Sequence, residues 1–192
     1  AAITGVGLTP DGKHVLATAA DGALRGWLVA KATAIGTLFT PPASALAVDA
    51  KGGRVATAGR DGILRLHAWP PVAPRQVTAH GHAVTGVAVS RDGKTVVTGS
   101  IDQTVRVISA DDAKQLRTLA GQSGQVTALA MRERPPAKGK KAPELLVATG
   151  SETGLVKLWN AADGKLRGGL AGHTGRIGGV AFHPTLDQLA TA

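Results

Sequence analysis

His80 and His82 stand two residues apart, a spacing from which both imidazoles could reach one metal ion. No carboxylate or third histidine lies close by in sequence, so a structural His80 and a solvated His82 are the simpler reading. Ala88-Val89-Ser90-Arg91-Asp92-Gly93-Lys94-Thr95 fits a loose phosphate-loop pattern. That chemistry needs a helix after the loop, its N-terminus facing phosphate. Here Asp92-Gly93 reads instead as a tight turn between two strands. Gly121-Gln122-Ser123-Gly124 has the wrong spacing for a nucleophile elbow, and no His-Asp pair accompanies it. These residues support no catalytic, metal or cofactor site.

The most individual stretch runs from Arg132 to Lys141. It carries Arg132, Arg134, Lys138, Lys140 and Lys141 against the single acid Glu133. Its Pro and Gly are expected to keep it from forming a strand. It reads as a solvated loop, with contact to an acidic partner or a polyanion as the sharper alternative. The net charge of +9 favours acidic partners in general, nucleic acid included. Against this, the basic residues are dispersed, and with three Trp, two Phe and no Tyr there is little to stack on bases. The absence of cysteine removes disulfides and thiolate chemistry. No apolar run is long enough to be a membrane span.

The elements that must position these residues come from a repeat. A small residue, Val or Leu, a small residue and a larger apolar one recur five times, beginning at Gly5, Ala45, Gly86, Ala128 and Gly179. The first residues are 40, 41, 42 and 51 positions apart. A period near 40 to 45 residues with several short strands per period is the mark of a β-propeller. Within one repeat, Val84 to Val89, Thr95 to Gly99, Thr104 to Ile108 and Leu116 to Leu119 read as four antiparallel strands separated by turns. The long fourth interval reflects nine extra residues, because Ala128 to Thr149 is 21 positions where the other copies show 12. They lie between Met131 and Pro143, between a first and a second strand.

Laid in register, these positions resemble the WD-repeat family, whose repeats open near Gly-His and close their third strand near Trp-Asp. The matching pieces are Gly172-His173, Trp27, Trp159, the stretch Val97 to Val107 and Ala148 to Ser151. The resemblance covers essentially the whole chain and implies a structural tetrad of His, Ser or Thr, Asp and Trp in each blade. No copy is complete. His80, Thr98 and Asp102 stand together with Ile108 in the Trp position. Thr149 and Trp159 stand with Gln122 for His and Thr153 for Asp. Thr57 and Asp61 stand with Phe39 and His67. Asp21 and Trp27 represent the first copy, and His173 and Thr191 the last.

The expected fold is therefore all-β: an incomplete propeller of four-stranded antiparallel blades, forming a single partial domain. The blades fall at about 1–40, 41–81, 82–123 and 124–174, with a fifth begun at 175–192. A seven-bladed ring would need roughly 290 residues, so the remaining blades are expected from a longer form of this chain or from a second chain. The resemblance implies a non-catalytic scaffold that binds other proteins. Related propellers use the loops joining second to third strands and blade to blade, which here present Arg60, Ile101, Glu152, His82, Gln125 and Arg176. The alternatives are a propeller appended to an enzyme or redox domain outside this segment, and polyanion binding through residues 132–141.

Overall fold

Eighteen short strands follow one another in the computed structural model, which describes residues 1–39, 41–49, 51, 53–68, 74–136 and 143–192. The first sheet holds β1 (Ile3–Leu8), β2 (His14–Ala19), β3 (Ala23–Leu28) and β4 (Thr33–Phe39), and the second holds β5 (Ala43–Val48), β6 (Arg54–Gly59), β7 (Ile63–Ala68) and β8 (Arg75–Thr78). The third comprises β9 (Val84–Val89), β10 (Thr95–Ser100), β11 (Val105–Ser109) and β12 (Gln115–Leu119). The fourth comprises β13 (Val126–Arg134), β14 (Glu144–Ser151), β15 (Val156–Asn160) and β16 (Leu166–Leu170). A two-stranded sheet of β17 (Val180–Phe182) and β18 (Leu189–Thr191) comes last. Every pairing is antiparallel between consecutive strands, so each four-stranded sheet is a simple meander. The only helical element among the described residues is a 3-10 turn at Val29–Lys31.

These sheets are propeller blades, and their first strands neighbour one another from β1 through β5, β9 and β13 to β17. The small residues of the recurrent motif have a steric cause. A Cβ added at Gly5 would lie 3.0 Å from Leu46 Cβ, and one added at Gly86 would lie 2.9 Å from Leu129 Cβ. Gly5, Gly7 and Gly86 thus receive Leu46, Val48 and Leu129 of the next blade. The interdigitation builds cores between blades, such as Val97, Val105, Val107 and Leu119 against Val147, Trp159 and Ala161.

The turns fall where their residues dictate. Gly93 has φ +75°, the left-handed region that glycine enters at least cost. In the same turn the Ser90 hydroxyl donates to Asp92 at 2.6 Å, and Asp92 accepts the Lys94 amide at 3.0 Å. Thr9, Asp11 and Lys13 repeat the device at 2.6 and 3.0 Å. The phosphate-loop match is therefore a hairpin between β9 and β10, with strand rather than helix after it.

One expectation is corrected here. Arg132 to Arg134 do not form a loop, because β13 continues through Arg134 and pairs Arg132 with Leu146, Glu133 with Leu145 and Arg134 with Glu144. Half-burial of Arg132, Glu133 and Arg134 lets the strand carry their charged ends at its surface. Lys138, Lys140 and Lys141 lie outside the described residues.

Candidate functional site

Antiparallel meanders place the turns between second and third strands on the same side as the blade-to-blade loops. The turns between first and second strands lie on the other side. The first set carries Arg60, His82, Gln125, Glu152 and Arg176, all exposed. Main-chain bonds tie this loop face together in pairs: the Ile101 amide donates to Ala83 at 3.1 Å, and the Glu152 amide to Gln125 at 3.1 Å. The Gly62 carbonyl accepts the Ala79 and His80 amides, each at 3.0 Å. Two residues of the face differ from their sequence reading. Ile101 is half-buried rather than an exposed apolar contact, and the Glu152 carboxylate turns back to accept the Gln125 amide at 3.0 Å.

Beneath this face lie the tetrad positions. In the third blade His80 Nε2 is 2.8 Å from the Thr98 hydroxyl, and Nδ1 is 2.9 Å from an Asp102 carboxylate oxygen. A carboxylate can only accept, so Nδ1 carries the proton and Nε2 accepts from Thr98. Burial pulls the His80 pKa below its ordinary value, partly opposed by Asp102. Burial also draws Asp102 upward, but the hydroxyl of Thr104 and His80 outweigh it and hold the carboxyl below the usual range. The order hydroxyl, imidazole, carboxylate is that of a nucleophilic relay. Thr98 is 0% exposed, however, so no substrate can reach its oxygen. Ile108, 1% exposed, fills the Trp position with apolar packing.

The other blades solve the same positions differently. In the fourth, Trp159 Nε1 donates to the Thr149 hydroxyl at 3.0 Å, which donates to Gln122 Oε1 at 3.2 Å. Gln122 Nε2 is buried without a partner, because Thr153 bonds Ser151 and the Ser123 carbonyl instead. In the second, Thr57 meets His67 Nε2 at 3.0 Å, while Asp61 pairs with Arg65 at 2.6 Å. The side chain of Phe39 lies outside what is described. In the first, Asp21 pairs with Arg25 at 2.7 Å rather than joining Trp27, and Arg25 holds its pKa down to about 2. In the last, His173 Nε2 is 2.8 Å from the Thr191 hydroxyl.

The two described arginines of the basic stretch are committed internally. Arg132 pairs with Asp187 at 3.2 Å and Arg134 pairs with the same carboxylate, so both lock the β13–β14 hairpin to the last sheet. Among the described residues no three His, Asp or Glu side chains converge to hold a metal. No helix among them is long and apolar enough to cross a membrane.

Sequence reasoning passed over one set of polar residues. Thr4, Ser44, Thr85 and Thr127 each precede the first small residue of the motif, and each is the bulged residue of its first strand. The bulge turns the hydroxyl sideways. Thr85 donates to the Val126 carbonyl of the next blade at 2.7 Å, Thr127 to Ile177 at 2.6 Å, and Ser44 to Val84. A hydroxyl residue at one register position in four of the five motifs was the available signal.

A family model for the WD40 repeat (WD domain, G-beta repeat) matches residues 74–109 and 113–160. Among known proteins, Protein MAK11 of Saccharomyces cerevisiae is 32% identical over 114 residues, covering 56% of this chain and 27% of that protein. Nuclear distribution protein nudF of Aspergillus terreus is 34% identical over 125 residues, covering 58% and 27%. Mitochondrial division protein 1 of Kluyveromyces lactis is 27% identical over 194 residues, covering 88% and 27%. The chain thus spans about a quarter of the length of the curated relatives it matches.

Proposed function

This chain is a member of the WD-repeat family, and on that premise we propose that it is a non-catalytic scaffold holding other proteins on its loop face. WD40 domains typically bind other proteins. The observation that carries the reading is the tied loop face: exposed Arg60, His82, Gln125 and Arg176 stand on loops held by main-chain bonds. A preorganised surface loses little entropy on docking. The buried relay of His80, Thr98 and Asp102 supports a structural rather than a catalytic use of those groups. On the same reading, residues 1–192 are one partial propeller domain, completed by further blades from a longer form of the chain or from a second chain.

The test is affinity capture from the native source. Proteins retained by the wild-type chain are expected to be lost by Arg60→Glu/Arg176→Glu. They should still be retained by Arg75→Glu, a substitution on an outer strand. Equal retention by all three chains would remove the loop face as the binding surface.

A further inference from the structure

The hairpin of the fourth blade is longer than its counterparts. β13 has nine residues and β14 eight, where β9 and β10 have six each. Arg132 and Arg134 stand on the added length, because β9 ends at Val89, the counterpart of Met131. Strand pairing fixes both arginines, with Arg132 opposite Leu146 and Arg134 opposite Glu144. The Arg132 side chain is only 12% exposed, and its Nε is buried without a partner. A guanidinium withdrawn that far from water needs an anion beside it.

That anion is Asp187, at 3.2 Å, the one carboxylate that Arg132 meets among the described residues. Arg134 pairs with the same carboxylate. Its other acid, Glu144, stands at 3.9 Å and is taken by Arg167 at 2.7 Å. The clamp reads more than charge. One terminal nitrogen of Arg132 donates to the Leu186 carbonyl at 2.5 Å, while the other meets the Asp187 carboxylate. It thus recognises a main-chain carbonyl followed by an acidic side chain, a pattern that an acidic segment of another polypeptide can present. Asp187 lies in the turn between β17 and β18, outside the ladder that joins those strands. The arginines are built into a strand, whereas their present occupant is a turn residue. Ion pairs of this kind are weak where water competes for both partners, so a second carboxylate can displace the first.

We propose that Arg132 and Arg134 form a receptor for an acidic peptide segment, and that the chain's own Leu186-Asp187 turn occupies it until such a segment takes its place. This clamp lies on the side of the blades opposite the loop face. It stands or falls independently of the capture experiment above.

The test is an NMR titration of the isotope-labelled chain with a blocked Gly-Leu-Asp-Gly peptide, following the side-chain Nε–H signals of Arg132 and Arg134. In the wild-type chain both signals should move and saturate, and a Gly-Leu-Asn-Gly peptide should leave them in place. Asp187→Asn should bind the acidic peptide about 10-fold more tightly, as expected if the chain's own turn fills the site about nine-tenths of the time. Asp187→Glu keeps the competing carboxylate and should bind like the wild type. Adding Arg132→Gln/Arg134→Gln to Asp187→Asn should abolish binding, with circular dichroism unchanged. Arginine signals unmoved by saturating peptide in the wild-type chain would overturn the proposal. So would an Asp187→Asn chain that binds no more tightly. An oligothymidylate strand that gains more from Asp187→Asn than the peptide does would overturn the peptide assignment and mark a phosphate site instead.

Discussion

In the first three blades the aspartate before the third strand can pair with a histidine or with an arginine four residues on, and the neighbouring residues decide which one it takes. Where a histidine is present, His80 claims Asp102 and Arg106 turns instead to Gln115 at 2.8 Å. In the first two blades, the arginine four residues on takes Asp21 or Asp61. Replacing His80 by Ala leaves Thr98 and Asp102 without their buried partner and should cost about 2–3 kcal/mol, measured by urea denaturation. His67 makes a separate, pH-dependent prediction. Burial, reinforced by Arg65, pushes its pKa down to about 4, and its Nδ1 is buried without a partner. The unfolded chain therefore takes up this proton first. The stability held with neutral His67 is complete above about pH 6.5 and declines as pH falls toward 4. The loss should total about 3 kcal/mol, and His67→Gln should be correspondingly less acid-sensitive in denaturation curves at pH 7 and pH 4.5.

At the scale of the element, the first strand of each blade performs two tasks. Its small residues accept the next blade's apolar side chains, and in the second, third and fourth blades its bulge aims a hydroxyl at the next blade's main chain. Thr85 bonds both the Val126 carbonyl and, at 3.1 Å, the Gly99 carbonyl of its own sheet. Thr85→Val keeps the shape and β-propensity but removes both bonds. It should lower stability by about 1–2 kcal/mol, read from the shift of the urea midpoint at unchanged slope. The second strands contribute glycines for a similar reason, since a Cβ on Gly99 would lie 2.6 Å from Val126 Cγ1 in the next blade.

Across the whole molecule, the meander separates two surfaces. The loop face gathers Arg60, His82, Gln125 and Arg176 at one end of the blades, while the extended β13–β14 hairpin projects at the other. Arg132 and Arg134 are held by Asp187, whose carboxyl Arg134 keeps below the usual range. Replacing Lys138, Lys140 and Lys141 by Ala should therefore leave capture of partners on the loop face unchanged. Loss of the same proteins would mean that the hairpin shares their binding surface.

The repeat, the all-β class and the four-strand blade were legible in the sequence because each depends on local order. A small-apolar-small motif, an Asp-Gly turn and a run of β-branched residues act over a few positions and recur at a fixed interval. The meeting of His80, Thr98 and Asp102 could also be anticipated, since register places them at one corner of a blade. What register does not contain is competition among side chains from different strands. Only the folded chain decided that Arg65 takes Asp61, that Arg132 and Arg134 spend their charge on Asp187, and that Ile101 is half-buried. Hydrogen bonds and ion pairs act over about 3 Å, so their partners are chosen by the packing of strands far apart in sequence.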